Sequence, residues 1–147
     1  SREILEQFSQ RNVYFNTFGG NPVSAAVGNA VLDVFEDEAL LDHVRNVSPY
    51  LRAQLQQLQQ RHRLIGDVRG RGLFMGIELV GDRDNKVPDR NTALAVAEQM
   101  RDHGVLVGAT GRHGNVIKVR PPLPFCVDNV DFLVEKLDRV LSARAGQ

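Results

Sequence analysis

LIGDVRGRGLFMGIELVG, residues 64–81, breaks the helical spacing of the sequence before it. LIGDVRG and LFMGIELVG are short, apolar or β-branched runs with Gly70 and Gly72 between them, the pattern of two strands joined by a tight turn. A phosphate-binding glycine loop is the competing interpretation, and it fails on spacing. Gly70, Gly72 and Gly76 do not follow G-x-G-x-x-G, and a second strand follows where a nucleotide loop needs a helix.

Upstream of this hairpin the apolar residues recur at three and four. Val23, Ala26, Val27, Ala30, Val31, Val34 and Phe35 form one face of a helix expected over Asn21 to about His43, with Asn21 as cap and Pro22 at its first position. A second helix is expected from Pro49 to about His62, with Leu51, Leu55 and Leu58 inward and glutamines in water. The N-terminus, SREILEQFSQRN, begins inside a helix-like pattern of Ile4, Leu5 and Phe8, so the chain is expected to be a fragment.

Downstream, DRDNKVPDRN is a polar loop, and Asn91 or Thr92 is expected to cap a helix through Ala93, Val96, Ala97 and Met100 that stops at Gly104. VLVGA and NVIKV are two further strands around TGRHGN. Asp128 opens a last helix with Val130, Leu133, Val134, Leu137, Val140 and Leu141 on one face. The order is helix, helix, strand, strand, helix, strand, strand, helix. It specifies an α+β fold, a short, mostly antiparallel sheet with helices packed on one face.

The 147 residues are 42% hydrophobic and suffice for one core. Eighteen basic and eighteen acidic side chains cancel, which gives no footprint for nucleic acid or a membrane surface. Cys126 is the sole cysteine; with no apolar run of membrane length and no signal-peptide pattern, a cytoplasmic protein is expected. His43, His62, His103 and His113 are scattered without the spacing of a metal site, so no metal is expected; His113 alone lies near a candidate site.

Two segments can carry chemistry. In FNTFGGNP, residues 15–22, the Thr17 hydroxyl and the amides freed by Gly19 and Gly20 precede a helix start, which favours an anion such as phosphate. The glycines can equally serve only to bend the chain. In IKVRPPLPF, residues 117–125, strand alternation puts Lys118 and Arg120 on one face beside the rigid Pro121-Pro122 bend. Such a pair suits a carboxylate or phosphate; it also suits an edge strand defended by charge.

Together, YFNTFGGNPVSAAVGNAVLDVFEDE (14–38), LIGDVRGRGLFMGIELV (64–80) and NVIKVRPPLPF (115–125) resemble, in that order, the C-terminal part of a class III pyridoxal-phosphate-dependent aminotransferase. The resemblance covers nearly the whole chain, and is strongest to the subgroup of alanine:glyoxylate aminotransferases and ethanolamine-phosphate phospho-lyases. It implies the small C-terminal domain of a fold-type I transferase, with residues 1–21 ending the large-domain segment and 22–147 forming a long connecting helix and the small domain.

It also implies a homodimer, in which Thr17, with Phe18 and Gly19 beside it, meets the phosphate of pyridoxal 5′-phosphate held by the other subunit. The lysine that carries the cofactor lies upstream of this segment in the family, so Lys86, Lys118 and Lys136 take no catalytic role and the chain alone is expected to be inactive. Lys118 and Arg120 are the implied substrate contacts. Lys118 stands where ω-amino-acid members usually have arginine, and lysine lacks the planar fork that grips a carboxylate bidentately. Amino transfer between an amine or amino acid and a keto acid is the leading activity. Phosphate elimination from a phosphorylated amino alcohol and a non-catalytic dimerisation module are the alternatives.

Overall fold

The computed structural model describes residues 1–144. It divides into two compact units, Ser1–Ala39 and a second beginning at Leu40.

In the first unit, α1 (Arg2–Arg11) and α2 (Pro22–Asp37) flank an extended segment and a turn. Asn21 caps α2, its side chain accepting from the amides of Val23 and Ser24, as its position before Pro22 requires. No residue of α1 or α2 is buried. The apolar stripe of Val23, Val27, Val31 and Val34 faces outward along its length.

The helix expected to reach His43 ends instead at Asp37, and Ala39 takes a left-handed φ of 48° before α3 begins. The following helix, α3 (Leu40–Arg61), does not start at Pro49 but runs through it. Its buried Val47, Leu51, Leu55 and Leu58 keep one continuous stripe on both sides of the proline. Packing along that stripe outweighs the lost backbone bond, a cost of roughly 3 kcal/mol for proline in a helix interior.

Strands β1 (Ile65–Arg71) and β2 (Phe74–Asp82) form the expected hairpin. β3 (Val87–Pro88) adds a short pairing to β2 within the segment expected to be loop. After α4 (Arg90–Asp102) come β4 (Gly108–Thr110), β5 (Val116–Val119) and α5 (Val127–Arg144). The order β1-β2-β5-β4 is antiparallel at every pairing. Asp89 caps α4, two or three residues before the expected Asn91 or Thr92. Its carboxylate accepts from both the amide and the hydroxyl of Thr92, so Thr92 donates to the cap.

The core lies between one sheet face and the three helices of this unit. Val68, Met75, Ile77, Leu79, Ile117 and Val119 from the strands meet Leu51, Leu55, Leu58, Val96, Met100, Leu137 and Leu141. The alternate strand positions, among them Arg69, Glu78 and Lys118, occupy the opposite face. Among the described residues no helix is long and apolar enough to cross a membrane, and no cluster of histidine, cysteine and carboxylate groups could hold a metal ion.

Candidate functional site

Residues 17–20 form a turn directly ahead of α2. Asn16 organises it: its side-chain oxygen accepts from the amides of Phe18 and Gly19, both at 3.1 Å, and its side-chain nitrogen donates to the Tyr14 hydroxyl at 2.9 Å. A Cβ at Gly19 would stand 3.0 Å from the Asn16 side chain, so glycine lets that side chain fold over the turn. The amides of Phe18 and Gly19 are thereby engaged. Thr17 is exposed, and its hydroxyl meets no hydrogen-bond partner among the described residues.

Lys118 occupies the face of the sheet away from the helices. Both of its cross-strand neighbours are glycines, Gly76 on β2 and Gly108 on β4. Glycine inside a strand weakens it and often marks a place where another group approaches the backbone. Lys118 is half-buried and pairs with no carboxylate among the described residues. It lines a hollow of about 210 Å³ with Arg69, Phe74, Gly76, Thr110 and Val116.

Arg120 lies one residue beyond β5 and borders a different hollow, of about 340 Å³, with Pro121, Pro122, Leu106, Phe125 and Phe132. The two cations expected side by side therefore line separate depressions. Strand alternation holds only while the strand lasts, and β5 ends at Val119 before the prolines.

Arg69 joins this surface although nothing in its own segment points to it. It sits opposite Gly76, which in turn sits opposite Lys118. One terminal nitrogen of Arg69 donates to Asp67 at 2.8 Å and also to Glu78. Hydrogen bonding to Asp67, then to Glu78, raises the Arg69 pKa further above its ordinary value and keeps the group charged. The side-chain amide of buried Asn115 donates to the Leu79 carbonyl at 2.8 Å and reaches Glu78 only at 3.5 Å. Only the register of β1 on β2 reveals this network.

The histidines have local roles. His62 is buried against Asp138, a ring nitrogen of His43 lies 3.0 Å from the Phe125 carbonyl, and His113 is exposed in the β4–β5 loop. Cys126 packs at the start of α5, where its amide and thiol both donate to the Asn129 side chain.

A short antiparallel sheet backed by helices is an α+β arrangement shared with the fold-type I pyridoxal-phosphate transferases. The aminotransferase class-III model matches residues 1–141. The chain belongs to that family, whose cofactor is pyridoxal 5′-phosphate.

Over 132 residues it is 50% identical to alanine–glyoxylate aminotransferase 2 homolog 2, mitochondrial, of Arabidopsis thaliana, covering 90% of this chain and 28% of that protein. It is 42% identical to ethanolamine-phosphate phospho-lyase homolog 1 of Caenorhabditis elegans, covering 96% of this chain and 30% of that one. Among solved structures, an Arthrobacter phospholyase in complex with phosphoethanolamine superposes with a TM-score of 0.90 at 39% identity, covering 97% of this chain and 34% of that one. An amine transaminase from an uncultivated Pseudomonas species, in its pyridoxal-phosphate-bound form, superposes at 0.82 with 32% identity, covering 92% and 31%. The chain thus spans about 30% of the length of these relatives.

Proposed function

We propose that this chain is the C-terminal part of a homodimeric aminotransferase that moves an amino group between an amine or amino acid and a keto acid. The observation that carries the reading is Lys118: a cation with no carboxylate partner among the described residues, flanked on both sides by glycine, beside a hollow open to a small molecule. A lysine so placed recognises the distal anionic group of an amine substrate as a compact charge. Arg120 is kept in this reading as a second substrate contact, although it borders a separate hollow lined by Pro121, Pro122 and Phe132.

Pyridoxal phosphate, when bound, supplies the electron sink for the amino transfer. Thr17 fits its phosphate, since a free hydroxyl on an ordered turn before a helix start is a neutral donor in a field that favours anions. Phe18 and Gly19 flank that hydroxyl, and their amides, bonded to Asn16, fix its presentation. In this reading Thr17 serves the cofactor of the other subunit. The exposed apolar stripe of α2 supports a further packing surface in the whole enzyme; in this reading residues 1–21 end a larger cofactor domain, without which the chain is inactive. We assign it to the cytoplasm, where the free Cys126 stays reduced; the mitochondrial naming of the Arabidopsis relative makes that organelle the competing address.

A second reading, phosphate elimination from a phosphorylated amino alcohol, is favoured by lysine rather than arginine at position 118 and by the likeness to the Arthrobacter phospholyase. One assay separates the two. The full-length protein with pyridoxal phosphate is given phosphoethanolamine or an ω-amino acid, with and without pyruvate, and both alanine and inorganic phosphate are measured. Alanine without phosphate supports transfer; phosphate released independently of pyruvate supports elimination; neither product from any of these amines overturns both.

A further inference from the structure

The hollow beside Lys118 has a second cation on its far side. Arg69, Gly76 and Lys118 lie in one row across β1, β2 and β5, so the bare backbone of Gly76 forms the floor between two positively charged side chains. Phe74, 56% exposed, provides an apolar wall at one end, and Val116 and Thr110 close the other. We propose that Arg69 is a second anion contact of this subsite, so that Arg69 and Lys118 together take the distal oxyanion, phosphate or carboxylate, of the amine substrate. This role rests on Lys118 being a substrate contact, as proposed for the reaction.

Arg69 is half-exposed, yet it is not a loose surface arginine. Asp67 and Glu78 both engage the same terminal nitrogen, which leaves the other terminal nitrogen and the Nε without a partner among the described residues. The fork is therefore held at one prong and open at the rest. Glu78 lies 3.5 Å from the side-chain amide of buried Asn115, a long contact, so the hold on Arg69 rests on Asp67 and Glu78. Holding the side chain beforehand removes much of the entropy cost an arginine carries when it grips an oxyanion.

The charges set the size of the effect. Arg69 and Lys118 are offset by Asp67 and Glu78, so the hollow offers oriented donors rather than a strong positive field. A charge-assisted hydrogen bond at such a site corresponds to about a tenfold change in selectivity.

The test uses the full-length protein loaded with pyridoxal phosphate and the variants Arg69→Met, Arg69→Lys and Lys118→Met. The reading is kcat/KM for phosphoethanolamine and for an ω-amino acid, each divided by kcat/KM for a neutral primary amine of matching length, with inhibition by inorganic phosphate as a second measure. Arg69→Met and Lys118→Met are each expected to lower the ratio for at least one anionic amine about tenfold and to weaken phosphate inhibition, while Arg69→Lys restores most of the loss. The amine that loses more identifies the oxyanion as phosphate or carboxylate. If Lys118→Met lowers the ratio and Arg69→Met does not, the role of Arg69 is overturned and that of Lys118 stands. If Arg69→Met depresses the neutral amine equally, Arg69 only supports the sheet and the inference fails. If Lys118→Met changes neither ratio, both readings fall.

Discussion

The Asp138 carboxylate accepts from His62 Nε2 at 2.6 Å and from Arg61 Nη1 at 2.9 Å, tying the C-terminal end of α3 to the middle of α5. His62 is buried at 8% exposure, and among the described residues Asp138 is the acceptor that meets its Nε2. Asp138→Ala removes the partner of that ring nitrogen among the described residues. It is expected to cost about 1–3 kcal/mol, the penalty of a buried donor left unsatisfied. Urea unfolding of the variant beside the parent measures this, and an unchanged midpoint would show that water reaches His62.

Gly70 is the position in the β1–β2 hairpin where glycine is obligatory. Its φ is +151°, and an added Cβ would lie 2.1 Å from the Phe74 carbonyl oxygen and 2.8 Å from the Met75 Cα. Backbone atoms cannot step aside as a side-chain tip can. Gly70→Ala is expected to cost more than about 3 kcal/mol, combining a strained backbone with an overpacked turn. Gly108→Ala is the control, since a Cβ there meets nothing within 4 Å, and its effect should stay within about 0.5 kcal/mol. Equal losses in the two variants would sink the argument.

Much of the fold could be read from local pattern, because Leu51, Leu55 and Leu58 or Val130, Leu133, Leu137 and Leu141 repeat at helical spacing whatever surrounds them. Local rules mislead where the tertiary structure outweighs them. Pro49 suggests a helix start, yet the stripe from Val47 to Leu58 carries the helix past it. Leu106 and Val107 suggest strand, yet β4 begins only at Gly108. The candidate site is legible one segment at a time. Lys118 is visible from its strand, but its separation from Arg120 depends on where β5 ends. The approach of Arg69 depends on a register that no single segment encodes.

Asp89 links acid sensitivity to a helix cap. Hydrogen bonds from the Thr92 hydroxyl and then the Thr92 amide lower the Asp89 pKa below the usual carboxylate range. A folded-state pKa below the unfolded value, about 3.9, means the contribution is fully present above that pH and fades as pH falls through the folded value. Asp89→Asn retains a good capping side chain without the titration. The parent's advantage over Asp89→Asn, followed by urea midpoints from pH 7 downward, should hold to about pH 4 and then shrink. Asp89→Ala should lose about 1 kcal/mol at neutral pH. A parent advantage that grows on acidification would contradict a lowered folded-state pKa.

Pro49 offers a prediction in the stabilising direction. It is exposed inside α3, where its ring nitrogen cannot donate to the carbonyl of Arg45 four residues earlier. Alanine at an exposed helix interior is favoured over proline by about 3 kcal/mol, less up to about 1 kcal/mol because proline also restricts the unfolded chain. Pro49→Ala should therefore stabilise the protein by roughly 2 kcal/mol. Neither neighbour in the buried stripe, Val47 or Leu51, changes, so the gain should appear in the urea midpoint without a change in slope. A loss instead of a gain would mean that the backbone geometry set by proline is needed for those two side chains to reach the same core.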